Sequence, residues 1–148
     1  MAGRRGKPRV RRKATAESSE YLEWLDHLTD ASKTRTVVVG HKADADVLTK
    51  LGVENVYYLQ EPYFRFIDLL VSLNRECILL FDANHAGNVA CERVGSDLLQ
   101  HGIKINTRFR KMLFLSANKD LCGLLKFLHK QVMASERRHV AGPPHGLA

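Results

Sequence analysis

The chain has 148 residues, 45% of them hydrophobic, enough for one domain with a real core. Its formal net charge of +7 is concentrated: residues 1–13 carry Arg4, Arg5, Lys7, Arg9, Arg11, Arg12 and Lys13 and no acid, and removing those seven from the 23 Lys and Arg leaves 16 bases against 16 acids. No apolar run approaches the ~20 residues of a membrane span and none follows the basic start, so neither a transmembrane helix nor a secretory signal is expected.

Residues 1–16 form a basic, Gly- and Pro-containing arm that has little apolar surface to bury and is expected to be disordered when alone. Seven clustered cations would release counterions from an RNA or DNA backbone, giving affinity without sequence specificity. The plainer alternative is a solubilising terminus. A domain is expected over residues 17–133. Its first helix, over 16–30, has Tyr21, Leu22, Leu25 and Leu28 in one stripe and Ser18 or Ser19 as a cap. Thr36 to Val39 reads as a buried strand ended by Gly40. Asp44 is expected to cap a helix bearing Val47, Leu48 and Leu51, which Gly52 stops. Val56 to Leu59 forms a second strand. Pro62 opens a helix with Phe66, Ile67, Leu70, Val71 and Leu73 on its apolar side.

Cys77 to Phe81 is the strongest strand, closed by Asp82. Gly87 and Asn88 begin a helix carrying Val89, Ala90, Val94 and Leu98, and Gly102 ends it. Ile103 and Ile105 mark a short fourth strand. Helices over 108–115 and 119–132 follow, the second with Leu121, Leu124, Leu125, Leu128 and Val132 in helical register, and residues 134–148 are expected to be a loose tail. Apolar strands alternating with amphipathic helices predict an α/β domain with a mainly parallel sheet of about four strands and helices on both faces. Right-handed crossovers put the strand-to-helix turns on one sheet edge, where ligands bind. That selects two turns, residues 40–44 and 82–87.

Those two turns resemble a known family. Val37-Val38-Val39-Gly40-His41-Lys42-Ala43-Asp44, followed by Val47-Leu48 and Leu51-Gly52-Val53, is similar to the first motif of TOPRIM domains, a strand ending in Glu-Gly with an Asp soon after. Ile78-Leu79-Leu80-Phe81-Asp82-Ala83-Asn84-His85-Ala86-Gly87 is similar to the second, an apolar strand ending in Asp-x-Asp before a Gly. Over residues 17–130 the chain resembles small free-standing archaeal TOPRIM proteins, which are similar to the bacterial nuclease that matures 5S ribosomal RNA. The resemblance implies a Rossmann-like TOPRIM fold and, in active relatives, acids that hold Mg²⁺ for phosphoryl chemistry.

The departures fall on those acids. The family's Glu aligns with Gly40, its Gly with His41, and the second Asp with Asn84, leaving Asp82 as the surviving acid and the catalytic residue of any active site. Magnesium prefers carboxylate oxygens, and each lost charge forfeits about 1–4 kcal/mol at roughly 4 Å. A weak Mg²⁺ site from Asp82, Asn84 and Asp44 is therefore the most that is expected. Asp82 and Asp44 as helix caps is the bland alternative. His41 and His85, each following a family acid position, raise a Zn²⁺ or Mn²⁺ site with Asp82, against simple exposed loop histidines.

Lys42, Arg108, Arg110 and Lys111, with Lys119, would extend a nucleic-acid surface beyond the arm, or be a solvated face. Tyr57, Tyr58, Tyr63 and Phe64 could stack on bases, but their apolar neighbours favour packing. Cys77, Cys91 and Cys122 form no C-x-x-C pair and read as buried thiols in a reducing, cytoplasmic compartment. The expected function is binding of nucleic acid, structured or ribosomal RNA foremost, with catalysis impaired or absent. The alternatives are a Mg²⁺-dependent nuclease or related phosphoryl-transfer enzyme, and a protein-binding scaffold using the helix around Trp24 and the last helix.

Overall fold

The computed structural model describes residues 20–114 and 121–141. The basic arm, Lys119 and the segment beyond 141 lie outside them. After helix α1 over residues 20–32, the elements are β1 (Thr36–Val39), α2 (Lys42–Lys50), β2 (Val56–Tyr58), α3 (Tyr63–Leu73), β3 (Cys77–Leu79), α4 (His85–Gln100), β4 (Ile105–Asn106), α5 (Arg108–Phe114) and α6 (Leu121–Ala141). The strands form one sheet in the order β2-β1-β3-β4, and every pairing is parallel.

Strand residues alternate between two cores, as a pleated sheet buried on both faces requires. Val37, Val39, Ile78 and Leu80 point to one core, which Trp24, Leu25 and Leu28 of α1, Leu48 of α2 and the leucines of α6 complete. Val38, Cys77, Leu79 and Phe81 point to the other, filled by Phe66, Ile67 and Leu70 of α3 and by Val94 and Leu98 of α4. The expected α/β architecture with helices on both faces is therefore present.

Local stops follow the residues. Gly52 and Gly102 adopt φ of +99° and +79° just past α2 and α4, and Asn74 ends α3 in the left-handed region that Asn tolerates. Three expectations need correction. Val89 lies on the solvent side of α4, not in the core. Trp24, offered as part of a docking face, is buried and donates Nε1–H to the Phe109 carbonyl at 3.0 Å. Helix α6 runs on to Ala141, beyond the expected loose start at 134. No Gly or Pro occurs between Gly123 and Gly142-Pro143, so the sequence offers no stop near 134.

Candidate functional site

Strand order creates the site. The chain places β2 on one side of β1 and then crosses to β3 on the other side. The turns leaving β1 and β3 therefore diverge, and the crevice between their carboxyl ends is where open parallel sheets bind ligands. The two turns singled out from sequence border that crevice.

The second turn is held by close backbone approach. A Cβ built on Gly87 would lie 1.8 Å from the Asp82 carbonyl oxygen, so only glycine fits there. Asn84 is the N-cap of α4, and its Oδ1 accepts from the Gly87 N–H at 2.8 Å. The expected cap, Asp82, does something else. Its Oδ1 accepts the Leu121 N–H at 2.9 Å, at the start of α6 and 39 positions away. A carboxylate at a helix N-terminus is favoured by the exposed N–H groups and the helix dipole. Asp82 therefore anchors the start of α6 beside the end of β3.

The first turn approaches from β1. His41, 72% exposed on its side chain, brings Nε2 to 3.9 Å from Asp82 Oδ2. His41 itself is the N-cap residue of α2 and makes no side-chain cap bond; Asp44 sits inside the first turn of that helix, 1% exposed. Asp44 is thus a buried acid facing the positive end of the α2 dipole, not the cap expected of it. Lys42 is exposed and pairs with Asp46 at 3.6 Å, one helical turn on. A Cβ on Gly40 would meet Phe81 at an ordinary 3.4 Å, so a methyl group there is not excluded by space.

Arg110, expected on a nucleic-acid surface, is instead only 6% exposed. It donates from Nε to the Phe81 carbonyl at 2.8 Å, and from Nη2 to the Asp82 carbonyl and Asn88 Oδ1, both at 2.6 Å. Those carbonyls follow the end of β3, so a buried guanidinium caps the strand end. Arg108 and Lys111, on the same helix, are exposed and border a shallow depression with His27 and Asn106. Nothing local in Arg108-Phe109-Arg110-Lys111 distinguishes the buried arginine from the exposed bases. Leu121 reads in the sequence only as a core leucine, because its role rests on a main-chain N–H that no side-chain pattern reports.

Among the proposed stacking residues, Tyr57 and Tyr58 pack against the two cores and Phe64 is exposed. Tyr63 donates to Asp97 Oδ2 at 2.5 Å and lies 3.7 Å beneath the Arg93 guanidinium, so its ring is already stacked.

The three oxygen donors expected for magnesium each have a place in the fold. Asp82 has one oxygen bound to a helix terminus, Asn84 Oδ1 is the α4 cap, and Asp44 is buried within the first turn of α2. Among the described residues, no group of three His, Cys, Asp or Glu side chains stands around one point, so His85 does not join His41 and Asp82. What the arrangement offers is an imidazole beside a carboxylate, over a crevice whose strand-end acceptors are met by the protein's own donors.

No protein-family profile matches the chain. It is similar to the UPF0292 protein MJ1624 of Methanocaldococcus jannaschii, 28% identical over 117 residues that cover 75% of this chain and 91% of that one. It is also similar to a solved structure of an Aquifex aeolicus protein, with a TM-score of 0.64 and 26% identity over 68% of this chain and 94% of the other. This is a Rossmann-like α/β domain. The names of both relatives state no activity. No helix among the described residues is long and apolar enough to cross a membrane.

Proposed function

We propose that the chain is a nucleic-acid-binding protein, with structured or ribosomal RNA as its partner, in a TOPRIM-type scaffold whose carboxyl edge has given up metal-dependent catalysis. One observation carries the reading: the whole excess of positive charge lies in residues 1–13, beside a domain whose remaining acids and bases balance. Such an arm binds phosphates by counterion release, and the exposed Arg108 and Lys111 offer further cations on the body. The engagement of Asp82 by the Leu121 N–H supports the loss of catalysis, since that carboxylate now does the work of a helix cap. Cys77 and Cys91 as reduced thiols accord with a cytoplasmic setting.

The test is deletion of residues 1–13, with binding of a ribosomal RNA fragment followed by anisotropy across a salt series. Affinity should fall by orders of magnitude, and the log–log salt slope should shrink by about 0.7–0.9 for each phosphate that the arm had neutralised. Equal affinity and slope in the truncated protein would refute the proposal.

A second reading, a nuclease or related phosphoryl-transfer enzyme, draws on the approach of His41 to Asp82 at 3.9 Å. A histidine beside a carboxylate can accept a proton from an attacking hydroxyl. It predicts RNA cleavage that disappears in both His41→Ala and Asp82→Asn. Cleavage that survives either substitution rejects it.

A further inference from the structure

A second basic surface lies on the described domain, away from the crevice. Helices α2 and α6 pack side by side, and between them runs a groove of about 520 Å³ lined by Val47, Lys50, Lys126, Phe127, His129 and Lys130. No acid lines it. Among the described residues, Lys50, Lys126 and Lys130 take part in none of the ion pairs, and all three are exposed. Lys126 and Lys130 stand one turn apart on α6, about 6 Å between their Cβ atoms, and Lys50 faces them from the last turn of α2.

Phe127, 38% exposed, lines the same groove. An amphipathic helix that merely seals a core leaves charged residues at such positions. Here an aromatic face is framed by cations. That combination is what single-stranded nucleic acid requires: positive groups that follow the backbone, and a ring on which a base can stack whatever its identity. The three lysines complement a polyanion, and the ring supplies a face on which a base can lie. His129 adds a ring nitrogen able to hydrogen-bond a phosphate or a base edge.

We propose that the α2–α6 groove is a binding site for a single-stranded nucleic-acid segment, its phosphates on Lys50, Lys126 and Lys130 and one base on Phe127. The site deepens the nucleic-acid reading and rests on it. The arm grips any phosphate backbone, whereas the groove selects strands whose bases are free to stack, such as the loop of a folded RNA.

The experiment keeps the full chain. Binding of labelled oligo(U) and oligo(dT) is measured over a salt series for the wild type, for Lys50→Glu/Lys126→Glu/Lys130→Glu, for Phe127→Ala, and for Lys33→Glu/Lys104→Glu as a charge control. Inorganic polyphosphate competes as a base-free probe. The groove triple variant should lose at least about tenfold in affinity and about two units of salt slope, the control about twofold or less. Phe127→Ala should weaken both oligonucleotides about fivefold or more and leave polyphosphate binding unchanged. Equal losses in the triple and control variants, or oligonucleotide binding by Phe127→Ala equal to that of the wild type, would overturn the groove and leave the arm reading standing. A wild type that binds no oligonucleotide at low salt would bring down both. Melting curves and circular dichroism of each variant check the fold, and Lys→Gln replacements repeat the test without charge reversal.

Discussion

Two glycines at the crevice show how differently one residue type can be constrained. Gly40 has room for a methyl group against Phe81, while Gly87 has the Asp82 main chain in the place of its missing side chain. Gly87→Ala should therefore cost about 3 kcal/mol or more, because backbone on both sides has to move. Gly40→Ala should stay within about 1 kcal/mol of the wild type. Urea denaturation of the two variants compares them directly, and equal midpoints would contradict the packing of the second turn. Cys77 is a second residue set by its surroundings. Burial, with a smaller push from Glu76, raises its thiol from 9.0 to about 11. A raised acid contributes stability that is complete below the unfolded value and is lost as pH climbs to the folded one. Stability should thus decline between about pH 9 and pH 11. Tyr63, raised by burial and by its bond to Asp97, adds to the decline above pH 10.0. Cys77→Ala will be less stable overall, yet its decline over that window should be shallower by about 2–3 kcal/mol. Parallel pH–stability curves for the two proteins would argue against a buried, protonated thiol.

Elements are legible where their signal is local. The strands show as short β-branched or apolar runs, and α3 and α6 show as stripes at helical spacing, because burial of one face is written into neighbouring positions. The errors share a physical origin: they concern what an element meets. Helix α5 is only seven residues long, too short for periodicity to assign its faces, so the sequence groups Arg110 with Arg108 and Lys111. Asp82 reads as a cap for the helix after it, whereas its partner begins a helix 39 positions away. Trp24 reads as an interface residue because an aromatic in an amphipathic helix looks the same whether its cover is this chain or another. The misgrouping of α5 is itself testable. Arg110→Met removes donors from two carbonyls and from Asn88 Oδ1, leaving buried acceptors without those bonds. It should cost about 2–4 kcal/mol. Arg108→Met, on the exposed side, should change stability by no more than about 0.5 kcal/mol. Thermal melts of both substitutions separate the structural arginine from the surface one, and similar losses in the two would mean that α5 is docked differently.

At the scale of the whole molecule, strand order brings the ends of β1 and β3 together, and any acid placed there must share one small crevice. Acceptors at that edge are met by Leu121, Arg110 and the α4 terminus. Gly40→Glu/Asn84→Asp would put two further carboxylates beside Asp82. The Asp at position 84 can still cap α4, and a Cβ at position 40 meets Phe81 only at van der Waals distance. The cost is mutual repulsion. At about 4–6 Å and surface-like dielectric, each like-charged pair should destabilise by roughly 1–4 kcal/mol, less as salt is added. The double variant should therefore melt below the wild type at low salt and recover in part in monovalent salt. Millimolar Mg²⁺ should raise its melting temperature beyond what monovalent salt of equal ionic strength achieves, since a divalent ion relieves the repulsion directly. The wild type, with one carboxylate oxygen tied to α6 and no cluster to relieve, should show no such excess. A wild-type response to Mg²⁺ as large as that of the double variant would mean that Asp82 is free to leave the helix for the metal, and that the crevice is an ion site after all.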